Sequence, residues 1–471
     1  MSKFAVLFLL VFFGGIGAAI FYSGFWAFVV YQLVYFLNPD DRWWSAGIPG
    51  LRYSFVTVIL MLGILAKNYK QYTEASPWNG QPTLKWIAGL LIIYYVAYLF
   101  ALNGAAHDRF TFDFTKRIVI IFIAYKIIDS EKALDACMWA YLVGCTYIGY
   151  LATITGRNSG DRVEGIGMVD SPDSNGTAAA LVPAAVMLMY FAWQYKLKGR
   201  MVAGFMGAFI ANGLVLINSR GAFLGVVASL GMFLMAMIFS RHQGKGQRGT
   251  AILMIIVGLS GALYVTDAAF WERMGTLKEQ SVENTEASGA KRVQFWLVTF
   301  DMLDDRPWGL GIGGYNKLAP LYMSNELRGG VEHRSVHSMW FQGLSEVGWP
   351  GFIVFMMILV SLYRMSAKAK KFVLSRKEYS NYFKILALEC ALMSFLVAGT
   401  FINRFRAEVL YWMILFLALA IKIYYLQRKD DEPSKKKRRK PRRPAPRLND
   451  DIENEADEMP QLTPKKRIAG E

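Results

Sequence analysis

The sequence predicts an all-α polytopic membrane protein with about 12 transmembrane helices and one large extracytoplasmic loop. Three observations carry this. Of 471 residues, 54% are hydrophobic and only 19% are charged, where a soluble domain carries about 25% charged. The apolar residues come in blocks, such as 4–37, 86–102, 222–239 and 252–265, rather than in the alternation of a membrane barrel. Backbone groups in lipid must pair within their own segment, so such blocks read as helices. The third observation is the placement of charge. Much of the net +16 sits in the run 435–440 and in Arg442 and Arg443.

The basic tail fixes the topology. Basic segments beside a spanning helix stay on the cytoplasmic side, so residues 427–471 are expected to form a disordered cytoplasmic tail. The tail is Pro-rich and lacks interleaved aromatics, which argues against nucleic acid; contact with anionic lipid headgroups fits it better. Counting backward from a last helix at 409–426, the turn Asn403-Arg404-Phe405-Arg406 falls outside and the Lys- and Arg-rich stretch 366–384 inside. The long loop 266–336, with short helices, falls outside. Basic 241–248 and 195–200 fall inside; 218–221 and the polar loop 156–175 fall outside. Every strongly basic loop in this part lands on the cytoplasmic side without adjustment. The chain thus divides into an N-terminal helix set (1–265), the loop (266–336), a C-terminal set (337–426) and the tail. The first third is harder to parse, because 4–37 is long for one helix and short for two, and 118–128 is short and flanked by charge. The start, Met1-Ser2-Lys3 and then a run with no small-residue cleavage site, reads as a retained segment. Cys137, Cys145 and Cys390 lie inside apolar runs and read as small core residues, with no disulfide framework or metal cluster implied.

Polar residues at membrane depth are costly and point to function. Arg220 stands between two apolar runs, at the outer end of both; its planar fork of donors suits phosphate oxygens, although position alone also fits an arginine snorkelling to water. Arg292 opens a helix toward Leu303 on which Phe295 and Trp296 share its face, as in a helix lying on a membrane. The run Pro307-Trp308-Gly309-Leu310-Gly311-Ile312-Gly313 lacks the strand and helix of a dinucleotide site and reads as a tight turn for close packing. His337 lies where loop meets lipid, with His333 and Arg334 one turn before it, and is placed to act as a general base. Glu346, nine residues on, falls on the opposite face of a continuous helix, so direct pairing with His337 is not expected, and bracing of the helix packing stands as an equal alternative to a site role. Asp301, Asp304 and Asp305 read as a solvated acidic face rather than a metal site. Asp170, Asp173 and Asn175 read first as helix capping.

In order along the chain, several of these pieces resemble the O-antigen ligase and O-antigen polymerase superfamily of bacterial envelope glycan assembly. They are Asp173-Ser174-Asn175, Ser219-Arg220-Gly221-Ala222, Arg292 with Trp296, the glycine-rich run, and His337 through Glu346 to Gly348. The resemblance implies a GT-C-like, metal-independent, inverting glycosyltransferase of the inner membrane with its active site on the periplasmic face. It would take a glycan from a polyprenyl-pyrophosphate lipid and pass it to an acceptor hydroxyl on a glycolipid, a growing polysaccharide or a protein. No cofactor is implied, because the donor arrives activated. By the same resemblance, Arg220 and Arg292 bind phosphate and His337 is the catalytic base. Asn175, Arg334, Glu346 and Arg404 are the further residues expected to contact substrate. The family commonly has Asn after the histidine where this chain has Ser338, which leaves the acceptor open. Polymerase, protein O-oligosaccharyltransferase and, from another class, a lipid-linked sugar transporter are the alternatives. A transporter would place charge at mid-membrane within broken helices, and the sequence shows no internal repeat.

Overall fold

The computed structural model describes residues 2–171, 173–244, 246–279 and 288–429. The basic run of the tail, expected to be disordered, lies outside the described residues. Among those residues, regular structure is helical, with isolated β-bridges only at Ser159–Arg162 and Met168–Ser171. The N-terminal set runs α1 (Lys3–Phe21), α2 (Phe25–Leu37), α3 (Tyr53–Lys67), a short α4 (Tyr69–Ala75), α5 (Pro82–Val96), α6 (Gly104–Ile127), α7 (Glu131–Thr155), α8 (Ser174–Gln194), α9 (Leu197–Ile217), α10 (Arg220–Phe239) and α11 (Gln247–Val265). The polar loop contributes α12 (Ala268–Glu279), α13 (Ser288–Asp305), α14 (Gly314–Tyr322) and α15 (Asn325–Arg328). The chain then forms α16 (Met339–Ser375), α17 (Tyr379–Gly399) and α18 (Glu408–Ile421).

Ten of the described helices are long and apolar enough to cross a membrane, which makes this a multi-pass membrane protein. The difference from the expected count lies in the first third. The block 4–37 breaks at Tyr22-Ser23-Gly24, leaving α2 only 13 residues, and α3 has 15. The charge-flanked stretch 118–128 closes the 24-residue α6, whose earlier turns carry Asp108, Arg109, Asp113, Lys116 and Arg117.

A helix apolar all round belongs in an interior, and α18 is at the centre: each residue from Glu408 to Ile421 is buried. Around it α8 packs on α9 and α17, α7 on α2 and α9, and α5 on α16. Only Ala251 of α11 is buried, so that helix lies at the periphery. Small residues let helix backbones approach where lipid gives no hydrophobic drive. Gly221 and Gly225 do this between α10 and α17, where an added Cβ would meet Phe401 Cβ at 3.2 Å and the Ser394 carbonyl at 2.7 Å. Cys137, Cys145 and Cys390 are free and buried.

The polar connections gather at one end of the bundle. Arg42 Nη2 donates to the Gly167 carbonyl at 3.5 Å, Val163 N–H to the Leu216 carbonyl at 3.0 Å, and Leu102 N–H to the Leu310 carbonyl at 3.0 Å. Glu408 N–H donates to Asp170 Oδ2 at 2.8 Å, and Asp170 also accepts from the Tyr35 hydroxyl. The Lys- and Arg-rich connections meet at the other end, where Lys384 pairs with Glu131 at 2.8 Å and Asp135 at 2.7 Å, and Trp193 Nε1 donates to the Gln247 carbonyl at 3.0 Å.

α16 is broken. Gly348 has φ 60° and ψ −166°, conformational space open essentially to glycine alone, so the helix stops and restarts there. The glycine-rich run docks into the break. Leu310 N–H donates to the Ser345 carbonyl (2.8 Å), Gly311 N–H to the Glu346 carbonyl (3.0 Å) and Trp349 N–H to the Pro307 carbonyl (3.1 Å). Gly309, at φ 98°, lies so close that a Cβ on it would meet the Gly348 nitrogen at 2.5 Å. The glycines therefore serve backbone-to-backbone packing, as the sequence indicated.

Candidate active site

The site is assembled from five segments at the polar end. Asn218, in the left-handed conformation at φ 55°, ends α9, and Ser219 precedes α10. This turn puts Arg220 in the first position of α10, beside backbone N–H groups that have no helical partner and carry the positive end of the helix dipole. The turn is held from the side: Asn218 Nδ2 donates to Asp161 Oδ2 at 3.3 Å, and Arg273 of α12 pairs with that same oxygen at 2.9 Å. Arg162, the next residue in that loop, donates Nε–H to the Ile217 carbonyl at 3.1 Å and Nη2–H to Asn175 Oδ1 at 3.0 Å.

These arginines share one field. Arg220 lies within electrostatic reach of Arg273, Arg162 and Asp161. Arg292 is half-buried, and burial, then the charges of Arg220, Arg273 and Arg334, lower its pKa. Burial and the Arg273 charge likewise lower that of Arg162, against the pull of Glu164, Asp161 and Asp173. Gathering like charges out of water costs free energy. Arg162, Arg220, Arg273, Arg292 and Arg334 thus share one region of positive potential at this end of the bundle.

Arg292 does not ride on a helix free on a membrane surface. Its neighbour Phe295 is buried, and Trp296 stacks on Phe341 at 5.5 Å while donating to the Val336 carbonyl at 3.1 Å. α13 is thereby docked against the segment entering α16. Asp301, Asp304 and Asp305 face outward from it, with Asp305 accepting from the Tyr322 hydroxyl.

His337 sits where that segment turns into α16. It precedes the helix, which begins at Met339 with Ser338 as its cap residue, so a face argument from a continuous helix does not apply to it. Its backbone is left-handed, φ 53°, a region that residues other than glycine enter infrequently. Ser338 N–H donates to Asn403 Oδ1 at 3.2 Å, and Ser335 Oγ lies 3.2 Å from His337 Nε2. Arg334 lies over Phe295, 5.1 Å from its centroid, and that ring is 6.4 Å from the imidazole. Burial, followed by the charges of Arg292 and Arg334, pushes the His337 pKa down to about 4, with Asp173 opposing. At neutral pH the imidazole is a neutral proton acceptor among cations.

The other residues singled out in the sequence take varied places. Asn175 belongs to the cluster through Arg162, while Asp173 is the true cap of α8, accepting from Gly176 N–H at 2.9 Å. Arg404 pairs with Asp173 and donates to the Asp170 carbonyl at 2.8 Å. It lies against Gly176, where any Cβ would collide with its guanidinium. Glu346 is a brace: Arg406 binds it bidentately at 2.9 and 3.0 Å, Tyr94 Oη donates to it at 2.7 Å and Gln342 Nε2 at 2.9 Å. Burial alone would depress the Arg406 guanidinium, but Glu346 holds its pKa above the ordinary value.

Sequence reasoning missed Arg162 and Arg273. Arg162 had a signal in its polar loop placed on the same side as Arg220. Arg273 had a weaker one, a cation in an aromatic-bearing segment just after α11.

Residues 205–356 match the family model described as O-antigen ligase. That span holds Arg220, Arg273, Arg292, Arg334, His337 and Glu346, and leaves out Arg162, Asn175, Arg404 and Arg406. The match supports the O-antigen ligase superfamily and, in general terms, a glycosyltransferase of ligase or polymerase type. No curated protein matches the chain.

Proposed function

We propose that the protein is an inverting glycosyltransferase that moves a glycan from a polyprenyl-pyrophosphate carrier to an acceptor hydroxyl. The observation that carries this reading is the gathering of Arg162, Arg220, Arg273, Arg292 and Arg334 beside a neutral, half-buried His337. Pyrophosphate leaving from a sugar develops charge that fixed donors can meet without reorganising, and such donors supply several kcal/mol of transition-state stabilisation. The acceptor oxygen attacks the anomeric carbon while the bond from that carbon to the pyrophosphate oxygen breaks. The electron pair leaves with the lipid pyrophosphate, the acceptor proton passes to His337, and in-line attack inverts the carbon. The arginines meet the leaving charge directly, so the step uses no metal. In this reading the arginine end of the bundle faces the periplasm and the basic tail the cytoplasm. The described parts of the loop, 266–279 and 288–336, supply Arg273, Arg292 and Arg334 to the site, with Asn175 and Arg404 backing its arginines through Arg162 and Asp173.

The test is incubation of the purified protein with a polyprenyl-pyrophosphate glycan and separate acceptors. Glycan on a lipid A core or other glycolipid indicates a ligase, glycan on protein an O-oligosaccharyltransferase, and lengthened lipid-linked chains a polymerase. Movement of the lipid-linked glycan across vesicles with no new glycosidic bond would replace the enzyme reading with a transporter.

A further inference from the structure

The side chains of Ser335 and His337 meet: Ser335 Oγ lies 3.2 Å from His337 Nε2. Among the described residues this is the hydrogen bond that the imidazole makes. The other hydroxyl beside the histidine, Ser338 Oγ, is buried without a hydrogen-bond partner among those residues and does not orient the ring. Ser335 is itself held from both sides. The Arg334 guanidinium rests over Phe295, 5.1 Å from its centroid, and Val336 is buried with its carbonyl accepting from Trp296 Nε1 at 3.1 Å. Beyond the histidine, Ser338 N–H donates to Asn403 Oδ1 at 3.2 Å. The serine hydroxyl is thus a fixed point on the docked segment, and it touches one particular nitrogen of the base.

A neutral imidazole has one nitrogen that donates and one that accepts. The partner of one nitrogen therefore decides which nitrogen is left to take a proton. If Ser335 donates, Nε2 is the accepting nitrogen and is already occupied, while Nδ1 carries hydrogen and takes nothing. If Ser335 accepts, Nε2 carries the hydrogen and Nδ1 is a bare acceptor with no bond to break. Once Nδ1 is protonated, Nε2–H still points at the serine, in a bond that the new charge strengthens. Arg292 and Arg334 disfavour that charge on His337, and Asp173 opposes them. A partner that favours the imidazolium adds to the side of Asp173.

We infer that Ser335 is a positioning residue: its oxygen accepts from His337 Nε2–H and so makes Nδ1 the atom that removes the acceptor proton. The proton passes from the acceptor hydroxyl to Nδ1 as that oxygen bonds to the anomeric carbon, and Nε2–H stays on Ser335 throughout. The inference rests on the transferase reading.

The experiment uses two readouts on the full-length protein in proteoliposomes. The first is solid-state NMR with ¹³C,¹⁵N-labelled histidine, which shows which ring nitrogen carries hydrogen and needs no turnover. The chain has four histidines, and the His337 signals are those missing in His337→Ala. At neutral pH wild type and Ser335→Thr show Nε2–H with a bare Nδ1, and Ser335→Ala shows both tautomers. The second readout is transfer rate against pH at saturating donor. Ser335→Ala lowers kcat by about fivefold to tenfold, the scale of one neutral hydrogen bond, and leaves the donor KM unchanged. It also moves the acidic limb to lower pH, because the imidazolium has lost its acceptor. Ser335→Thr keeps the hydroxyl and returns both kcat and the limb toward wild type. A limb that moves to higher pH in Ser335→Ala would mean that the serine donates to Nε2, and would overturn the inference. So would Nδ1–H in wild type, or a tautomer unaltered in Ser335→Ala. The expected tautomer in a protein that forms no product with any acceptor would sink the transferase reading and leave the Ser335–His337 bond standing.

Discussion

The low pKa of His337 makes the sharpest prediction. A general base works only when neutral, so activity is present above its pKa and is lost as pH falls through it. With His337 pushed down to about 4 by burial and then by Arg292 and Arg334, the acidic limb of kcat/KM, which reports the free enzyme, should lie near 4. Arg334 Cζ lies 5.1 Å from the Phe295 centroid, itself 6.4 Å from the imidazole. The charge is therefore at most about 11.5 Å from the imidazole. At an effective dielectric near 20 that is worth about 1.4 kcal/mol, or about one pKa unit. Arg334→Gln removes the charge, makes protonation easier and moves the limb up toward about 5; Arg334→Lys leaves it in place. Donor binding acts in the same direction, because pyrophosphate charge opposes the arginines, so the limb of kcat lies above that of kcat/KM. The assay is transfer rate against pH with saturating and limiting donor. A limb that stays put in Arg334→Gln, or shifts equally in Arg334→Lys, would refute the electrostatic reasoning whatever the loss of rate.

The remaining predictions concern the rest of the constellation. His337→Ala lowers the transfer rate by about 10²–10⁴-fold while the protein still inserts and melts cooperatively; product at the wild-type rate removes the base. Arg220→Ala and Arg273→Ala each lower kcat by about 10²–10³-fold, the scale of losing one preorganised donor, and unchanged rates in Arg273→Ala would put it outside the site. Glu346→Ala strands the Arg406 charge, whose partner side chain is only 6% exposed, and costs about 3–5 kcal/mol, read as a fall in Tm in detergent. Gly348→Ala forces a Cβ to 2.4 Å from the Pro307 carbonyl at φ 60°, so both Tm and donor affinity should fall, and a native-like melt would contradict the docked break.

Much of this architecture was legible in the sequence, and the reasons differ by element. Long apolar runs such as 222–239 became α10 because length and composition alone decide a spanning helix. The block 4–37 was ambiguous because its break at Ser23-Gly24 interrupts hydrophobicity for only a few residues. Arg220 and His337 stood out because charge at an apolar boundary is rare. Arg292 was legible as a helix residue but not as half-buried, because its helix is docked through Trp296 on Phe341 and Val336, which a sequence window does not reach; the helix itself starts earlier, at Ser288. Arg273 and Arg162 were hidden for the same reason: Asp161 and the α9–α10 turn bring them together across more than 100 residues. The Arg406–Glu346 pair, 60 residues apart, is a contact between helix ends that no periodicity encodes.

The clustered arginines come from two sets of segments within one compact unit, and this gives the glycine-rich run its meaning. Arg162 and Arg220 belong to connections of the bundle itself, whereas Arg292, Arg334 and His337 ride on the segment docked against α16. What holds the second group is backbone contact. Residues 307–311 lie in the break at Gly348, and Leu310 also accepts from Leu102 N–H. His107 strengthens this seam: its Nδ1 accepts from Ile312 N–H at 3.0 Å, leaving Nε2 to donate to the Tyr94 carbonyl at 2.9 Å. Tyr94 in turn donates to Glu346. One chain of contacts thus runs from the glycine run through His107 and Tyr94 to Glu346, then by Arg406 to the turn that carries Asn403 and Arg404. Asn403 secures the backbone beside His337, and Arg404 secures Asp173 at the head of α8. On the proposed transferase reading, Glu346 acts as a positioning residue, since its bonds to Tyr94, Gln342 and Arg406 tie the segment carrying His337 to the turn beside the arginines and transfer between two bound reactants demands such fixed separations.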